Sequence, residues 1–313
     1  MSAPILKVNE LSVRYAARTV VDRVSFELCA GETLSLVGES GSGKSSLARA
    51  ILRLIDAAGG QVEWLGEDFL SCPPAQLRAK RRDLQIVFQD PLASLNPRMA
   101  VGESICEPLK IFEPRMDGAE RQLRVADMLQ RVGLDAAMAG RYPHEFSGGQ
   151  CQRIGIARAM MLNPKLLICD EAVSSLDVSI QGQIINLLLD LQRETGMALL
   201  FISHNLAVVR HLSSRVMVMF RGRLVEIASR DALFSAPVHP YTRALLNAAA
   251  LNNPVEPPVD SAAGSGGCAY RDRCRHALPL CAAAEPPLQV IESGLQVACH
   301  RAGEPQFRYS PFP

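Results

Sequence analysis

The stretch GESGSGKSS at residues 38–46 sets Gly38 five positions before Gly43 and follows it at once with Lys44 and Ser45. In that Gly-x-x-x-x-Gly-Lys-Ser spacing the glycines let backbone N–H groups wrap a phosphate, and the helix that starts there adds the positive potential of its N-terminus. Gly38, Glu39, Ser40, Gly41, Ser42, Gly43, Lys44, Ser45 and Ser46 therefore form a candidate nucleotide-binding loop. Lys44 is expected to reach the β- and γ-phosphates, and the Ser45 hydroxyl to ligate Mg²⁺.

Hydrolysis needs an acid for the metal and a base for water. KLLICDE at residues 165–171 is an apolar run ending in two carboxylates. Read as a strand, it carries Asp170 to the edge of the sheet beside the phosphate loop, where it can hold Mg²⁺ through water. Glu171, one residue on, is placed to polarise an attacking water as general base. A pair of acids at a strand end is common by itself. Next to a phosphate loop it defines a hydrolytic site.

A third stretch, FSGGQCQR at 146–153, offers a second anion cradle at a helix start: Ser147, the amides of Gly148 and Gly149, and Gln150. A chain with one nucleotide does not need two cradles. The economical reading is that the second closes over the γ-phosphate held by a different subunit.

These residues need a scaffold. Short apolar runs at 33–38, 84–88, 165–169 and 198–203 alternate with helical patterns at 45–55, 151–163 and 181–195, predicting an α/β fold with a mostly parallel sheet. RVMVMFRGRLVEI (215–227) reads as a hairpin turning at Arg221–Gly222. From about 92 to 150 helical periodicity dominates, which predicts a helical insertion subdomain. NNPVEPPVDSAAGSGG (252–267) has the composition of a linker. The expected division is an ATPase domain over 1–250, a linker over 251–267 and a small cysteine-rich segment over 268–313.

A net charge of +1 over 313 residues makes no general demand for nucleic acid, and none is expected as a partner. The N-terminus lacks the layout of a signal peptide, and no apolar run nears the roughly 18–20 residues that cross a bilayer, so a soluble, cytosolic chain is expected. Nine cysteines in that setting point to thiols or metal ligation rather than disulfides.

On these motifs the chain resembles the ATP-binding subunits of ABC transporters over about residues 4–250. The resemblance implies a P-loop ATPase using ATP and Mg²⁺. Tyr15 matches the aromatic that stacks on adenine, and Gln89 the residue that senses the γ-phosphate and Mg²⁺. Asp177, in SSLD, matches the acid of a dimer-contact loop, and His204 the switch histidine that holds the γ-phosphate and the attacking water. Two positions depart from the pattern: Cys151 where arginine is usual after SGGQ, and Asn205 where aspartate is common.

FQDPLASLNPRM, CDEAVSSLDVSIQGQI and VHPYTRALL look like the dipeptide/oligopeptide importer branch, second ATPase subunit type. That implies a homologous ATPase as heterodimer partner, two permease subunits, a periplasmic peptide-binding protein and a peripheral place on the cytoplasmic face of the bacterial inner membrane. Nickel, opine or glutathione import, or a soluble ABC ATPase, are the alternatives. Members commonly end in a cysteine-bearing segment. Cys268, Cys274, Cys281 and Cys299 are similar to those that ligate a [4Fe–4S] cluster in some members, with zinc as the alternative. Intervals of five, six and seventeen residues lack the close pairs usual for structural zinc.

Overall fold

TLSLV is buried at all five positions, as a strand covered on both faces must be, and its two hydroxyls are paired: Thr33 Oγ1 donates to Gln192 Oε1 at 3.0 Å and Ser35 Oγ lies 2.6 Å from Ser213 Oγ. The computed structural model describes residues 3–250 and 266–304. In chain order, β1 (Pro4–Tyr15), β2 (Arg18–Cys29) and β3 (Thr33–Val37) precede α1 (Lys44–Ile51). Then come β4 (Gly59–Trp64), β5 (Glu67–Asp68), α2 (Pro74–Lys80) and β6 (Leu84–Val87). Helices α3 (Val101–Phe112), α4 (Gly118–Arg131) and α5 (Gly148–Met160) follow, with two short 3₁₀ turns before α5. Next are β7 (Leu166–Asp170), α6 (Val178–Thr195), β8 (Ala198–Ile202) and α7 (Leu206–Leu212). The hairpin β9 (Arg215–Phe220) and β10 (Arg223–Ser229) leads to α8 (Arg230–Ser235) and α9 (Pro240–Ala250). After a 3₁₀ turn at Arg271–Arg273, α10 (Pro279–Ala283), β11 (Gln289–Glu292) and β12 (Leu295–Val297) complete the described chain.

The chain forms two compact units. The first comprises the described residues up to Lys7, Glu27–Thr33 and Glu63–Ser203. Its sheet has β7 paired in parallel with β6 on one side and β8 on the other. β7 and β8 are buried at every position, so both faces are covered. Helices α3, α4 and α5 pack together in the region where strand patterning lapses.

The second unit comprises Val8–Phe26, Leu34–Val62 and the described residues from His204 onward. Here β3 pairs in parallel with β9, β9 pairs antiparallel with β10, and β12 adds antiparallel to β10 at Glu226↔Val297. The turn at Arg221 and Gly222, with φ of 45° and 86°, has the two left-handed residues that a two-residue hairpin requires. Residues 266–304 therefore share a sheet with the ATPase strands, and Tyr270 is buried in the core with Val218, Phe220 and Tyr241.

The helix predicted over 45–55 ends at Ile51. Arg53 adopts a left-handed φ of 53°, and the N–H groups of Arg53 and Leu54 donate to the carbonyls of Ala50 and Arg49. That double bond closes a helix end and satisfies carbonyls the helix leaves open, overriding the apolar periodicity beyond it. The helix predicted over 181–195 starts earlier, at Val178. The expected linker over 251–267 lies outside the described residues except for Gly266 and Gly267. No helix among the described residues is long and apolar enough to cross a membrane.

Candidate nucleotide-binding and hydrolysis site

The phosphate loop lies in the second unit, where β3 hands over to α1. Two of its glycines are required by close approach. A Cβ on Gly38 would lie 2.2 Å from the Met219 carbonyl oxygen, and one on Gly43, at φ 105°, 2.5 Å from that of Val20. The loop is thus pressed onto the backbone of β9 and of the start of β2, where only glycine fits. The buried Lys44 Nζ donates to the carbonyl oxygens of Gly38 and Glu39, both at 2.9 Å. Tyr15 ends β1 and is exposed, as a stacking platform for a ring must be. His204 is exposed just before α7. Asn205 is the N-cap of α7, its Oδ1 accepting the N–H groups of Ala207 and Val208 at 3.1 and 3.4 Å. Asparagine and aspartate cap equally well, so this departure keeps the local structure.

The first unit carries the acids. Asp170 sits at the C-terminal end of β7, 3% exposed. Glu171 turns out of the strand with a left-handed φ of 50°, its N–H donating to the Ile202 carbonyl. That conformation is sparsely populated by residues other than glycine. Gln89 Nε2 donates to Glu171 Oε2 at 3.1 Å, so two candidate catalytic residues, 82 positions apart, meet. Asp177 is exposed at the N-cap of α6 and makes no side-chain cap bond.

Ser147 caps α5 in a reciprocal box: its Oγ accepts the Gln150 N–H at 3.4 Å while Gln150 Oε1 accepts the Ser147 N–H at 2.9 Å. The Ser147 hydroxyl proton and the first-turn N–H groups of Gly148 and Gly149 stay at an exposed helix start, suited to an anion. Cys151 is fully buried one turn on, its Sγ donating to the Pro143 carbonyl at 3.5 Å, and burial pushes its thiol up. The second departure is therefore a packing residue.

The four tail cysteines converge. Cys268, Cys274, Cys281 and Cys299 line one tight cavity together with His276 and His300, and none is in a disulfide. Burial raises the thiols of Cys268 and Cys274, and pushes Cys299 up to about 11. Among the described residues no group of three or more His, Cys, Asp or Glu side chains is set to hold a metal ion. For Mg²⁺ that is natural, since it keeps waters and takes phosphate oxygens with only one or two protein ligands.

Two residues that touch the phosphate loop escape a reading of motifs. The branch stretch VHPYTRALL is largely buried: His239 is 2% exposed, and Tyr241 is fully covered. Glu226, buried on β10 with its carboxyl pushed up by burial, accepts the N–H groups of Val238 and His239 at 2.9 Å each and so fixes the entry to α9. That places the Tyr241 hydroxyl to accept the Glu39 N–H at 3.0 Å. Arg273, a spacer between cysteines in the sequence, forms an ion pair with Glu39 at 3.0 Å.

The sequence matches two family profiles: ABC transporter over residues 21–174, and the oligopeptide/dipeptide transporter C-terminal region over 225–281. It is 51% identical over 287 residues to the oligopeptide transport ATP-binding protein OppF of Escherichia coli K12, covering 86% of this chain and 84% of the relative. A probable peptide ABC transporter ATP-binding protein, y4tS of Sinorhizobium fredii, is 50% identical over 96% of this chain and 90% of its own. Among solved structures, the ATP-binding cassette MJ0796, a dimer in a post-hydrolysis state with ADP and Pi, superposes with a TM-score of 0.65 at 28% identity, over 72% of this chain and 98% of its own. With the phosphate loop, the acids at the end of β7 and the capped glycine helix in place, this chain belongs to the ABC transporter ATPases, in the group that carries the oligopeptide/dipeptide transporter C-terminal region.

Proposed function

We propose that this chain is the ATP-hydrolysing subunit that energises import of di- and oligopeptides across the bacterial inner membrane. It acts peripherally on the cytoplasmic face, paired head-to-tail with a homologous ATPase beneath two permease subunits fed by a periplasmic peptide-binding protein. The observation that carries the peptide reading is that the 51% identity to an oligopeptide transport protein extends over 86% of the chain, beyond the ATPase core.

Each residue has one task. Tyr15 stacks on adenine, the amides from Gly38 to Ser46 and the Lys44 ammonium bind the phosphates, and Glu171 takes the proton of the attacking water. Ser45, Gln89 and Asp170 are the residues that would hold Mg²⁺, which would supply neutralisation of the phosphate charge. His204 orients the γ-phosphate. Ser147, Gly148, Gly149 and Gln150 serve ATP on the partner, and Asp177 meets the partner's surface. In vesicles bearing the complete transporter and binding protein, ATP-dependent accumulation of labelled tri- to pentapeptides is expected, and Lys44→Ala abolishes it. Accumulation of nickel or glutathione instead overturns the peptide assignment, and ATPase activity without permeases or uptake overturns the transport reading.

For the tail, the convergence of Cys268, Cys274, Cys281 and Cys299 on one cavity supports a [4Fe–4S] cluster. Four cysteine thiolates are the usual ligand set of such a cluster, and these four line the same cavity. When bound, the cluster supplies four strong cross-links to a segment with little core of its own. Protein purified without oxygen is expected to be brown with about four irons and four sulfides per chain, and Cys274→Ser to bleach it while ATP still binds. Colourless protein with stoichiometric zinc and no sulfide refutes the cluster.

A further inference from the structure

The cysteine-bearing tail reaches the phosphate loop through one side chain. Arg273 Nη1 donates to Glu39 Oε2 at 3.2 Å, and its Nη2 lies 3.0 Å from Oε1, one hydrogen bond within a close ion pair whose side chains are mostly shielded, at 13% and 20% exposure. The guanidinium lies over the rings of Phe220 and Tyr270, 5.8 and 5.6 Å from their centroids. Those rings form one cluster with Tyr241, with centroids 4.6 to 5.4 Å apart. Tyr241, in turn, accepts the Glu39 N–H. Glu39 is thus gripped at its carboxylate by Arg273 and at its amide by Tyr241, while its carbonyl accepts the Lys44 Nζ.

We infer that Arg273 and Tyr241 are positioning residues for nucleotide binding, holding Glu39 so that the phosphate loop is set before ATP arrives. The inference rests on the reading of residues 38–46 as the nucleotide site. A loop residue held on two sides has fewer conformations to lose when phosphate binds, which improves affinity without any contact to the ligand. Arg suits the task because its planar fork pairs with a carboxylate at two points while its face stacks on aromatic rings; Lys can do neither. The pair also joins the tail to the loop across 234 residues of sequence.

The test is titration of the purified full-length chain with a fluorescent ATP analogue, alongside steady-state kinetics of the assembled transporter. Arg273→Ala is expected to weaken binding about three- to tenfold, the range for losing a partly shielded charged pair, and to raise KM by a similar factor with kcat within about twofold. Arg273→Lys recovers only part of the affinity. Glu39→Gln, which leaves the tail's packing intact, gives a similar loss, and the double variant is no worse than the single ones. Wild-type affinity in Glu39→Gln, or losses that multiply in the double variant, overturns the inference; if Arg273→Ala fails to fold, Glu39→Gln alone decides. Lys44→Ala separates the two layers: if it binds the analogue like wild type, the nucleotide-site reading has failed rather than the positioning role.

Discussion

Glu171→Gln in the assembled transporter is expected to lower ATP turnover by about 10²–10⁴-fold, the usual contribution of a positioned general base. ATP should bind as before, and the ATP-bound subunit pair should accumulate because hydrolysis no longer opens it. The geometry makes this substitution clean. A glutamine side chain keeps an oxygen that accepts from Gln89 Nε2, so the 3.1 Å contact survives. The strained backbone at φ 50° stays pinned by the N–H bond to Ile202, which no side chain alters. What is lost is the negative charge that draws a proton from water. Turnover is measured by phosphate release and the trapped pair by size-exclusion with ATP. Near-normal turnover would show that another residue, or the partner's site, supplies the base.

The second large effect concerns the composite site, and packing chooses the variant. Gly149→Asp is a poor probe, because a Cβ there would sit 2.6 Å from the Ile180 Cγ2 of the same chain. At Gly148 the nearest atom is Leu176 Cδ2 at 3.7 Å, an ordinary contact, and the position is exposed. Aspartate in the first turn of α5 also agrees with the helix dipole, so the fold is kept. On the composite reading, the new carboxylate stands where the partner's γ-phosphate must approach. Like charges brought together without water cost several kcal/mol, so hydrolysis by the complex is expected to fall about 100-fold or more. ATP affinity of the isolated chain should stay within about twofold. Equal loss in the isolated chain would place this helix over its own nucleotide and refute the head-to-tail arrangement.

The sequence alone determined the phosphate loop, the acids at the end of β7 and the capped glycine helix. Their function lies in local geometry: a strand edge, a tight turn and a helix start repeat wherever the same residues recur at the same spacing, so spacing suffices. The same holds for the hairpin at Arg221–Gly222, whose two left-handed residues are adjacent in sequence. Apolar periodicity failed at the end of α1 because the left-handed Arg53 is a backbone decision that hydrophobicity does not encode.

Only the tertiary structure decided where the tail packs. Read along the chain, residues 268 onward follow a Pro- and Gly-rich stretch and carry no spacing that ties them to the phosphate loop. In the fold, β12 joins β10, Tyr270 enters the core, and Arg273 reaches Glu39. The Tyr241 and Arg273 contacts to Glu39 span 202 and 234 residues, with no periodicity or spacing to announce them. They exist because an aromatic cluster excludes water around a guanidinium and a carboxylate, and which groups share that space is set by packing, not by order along the chain.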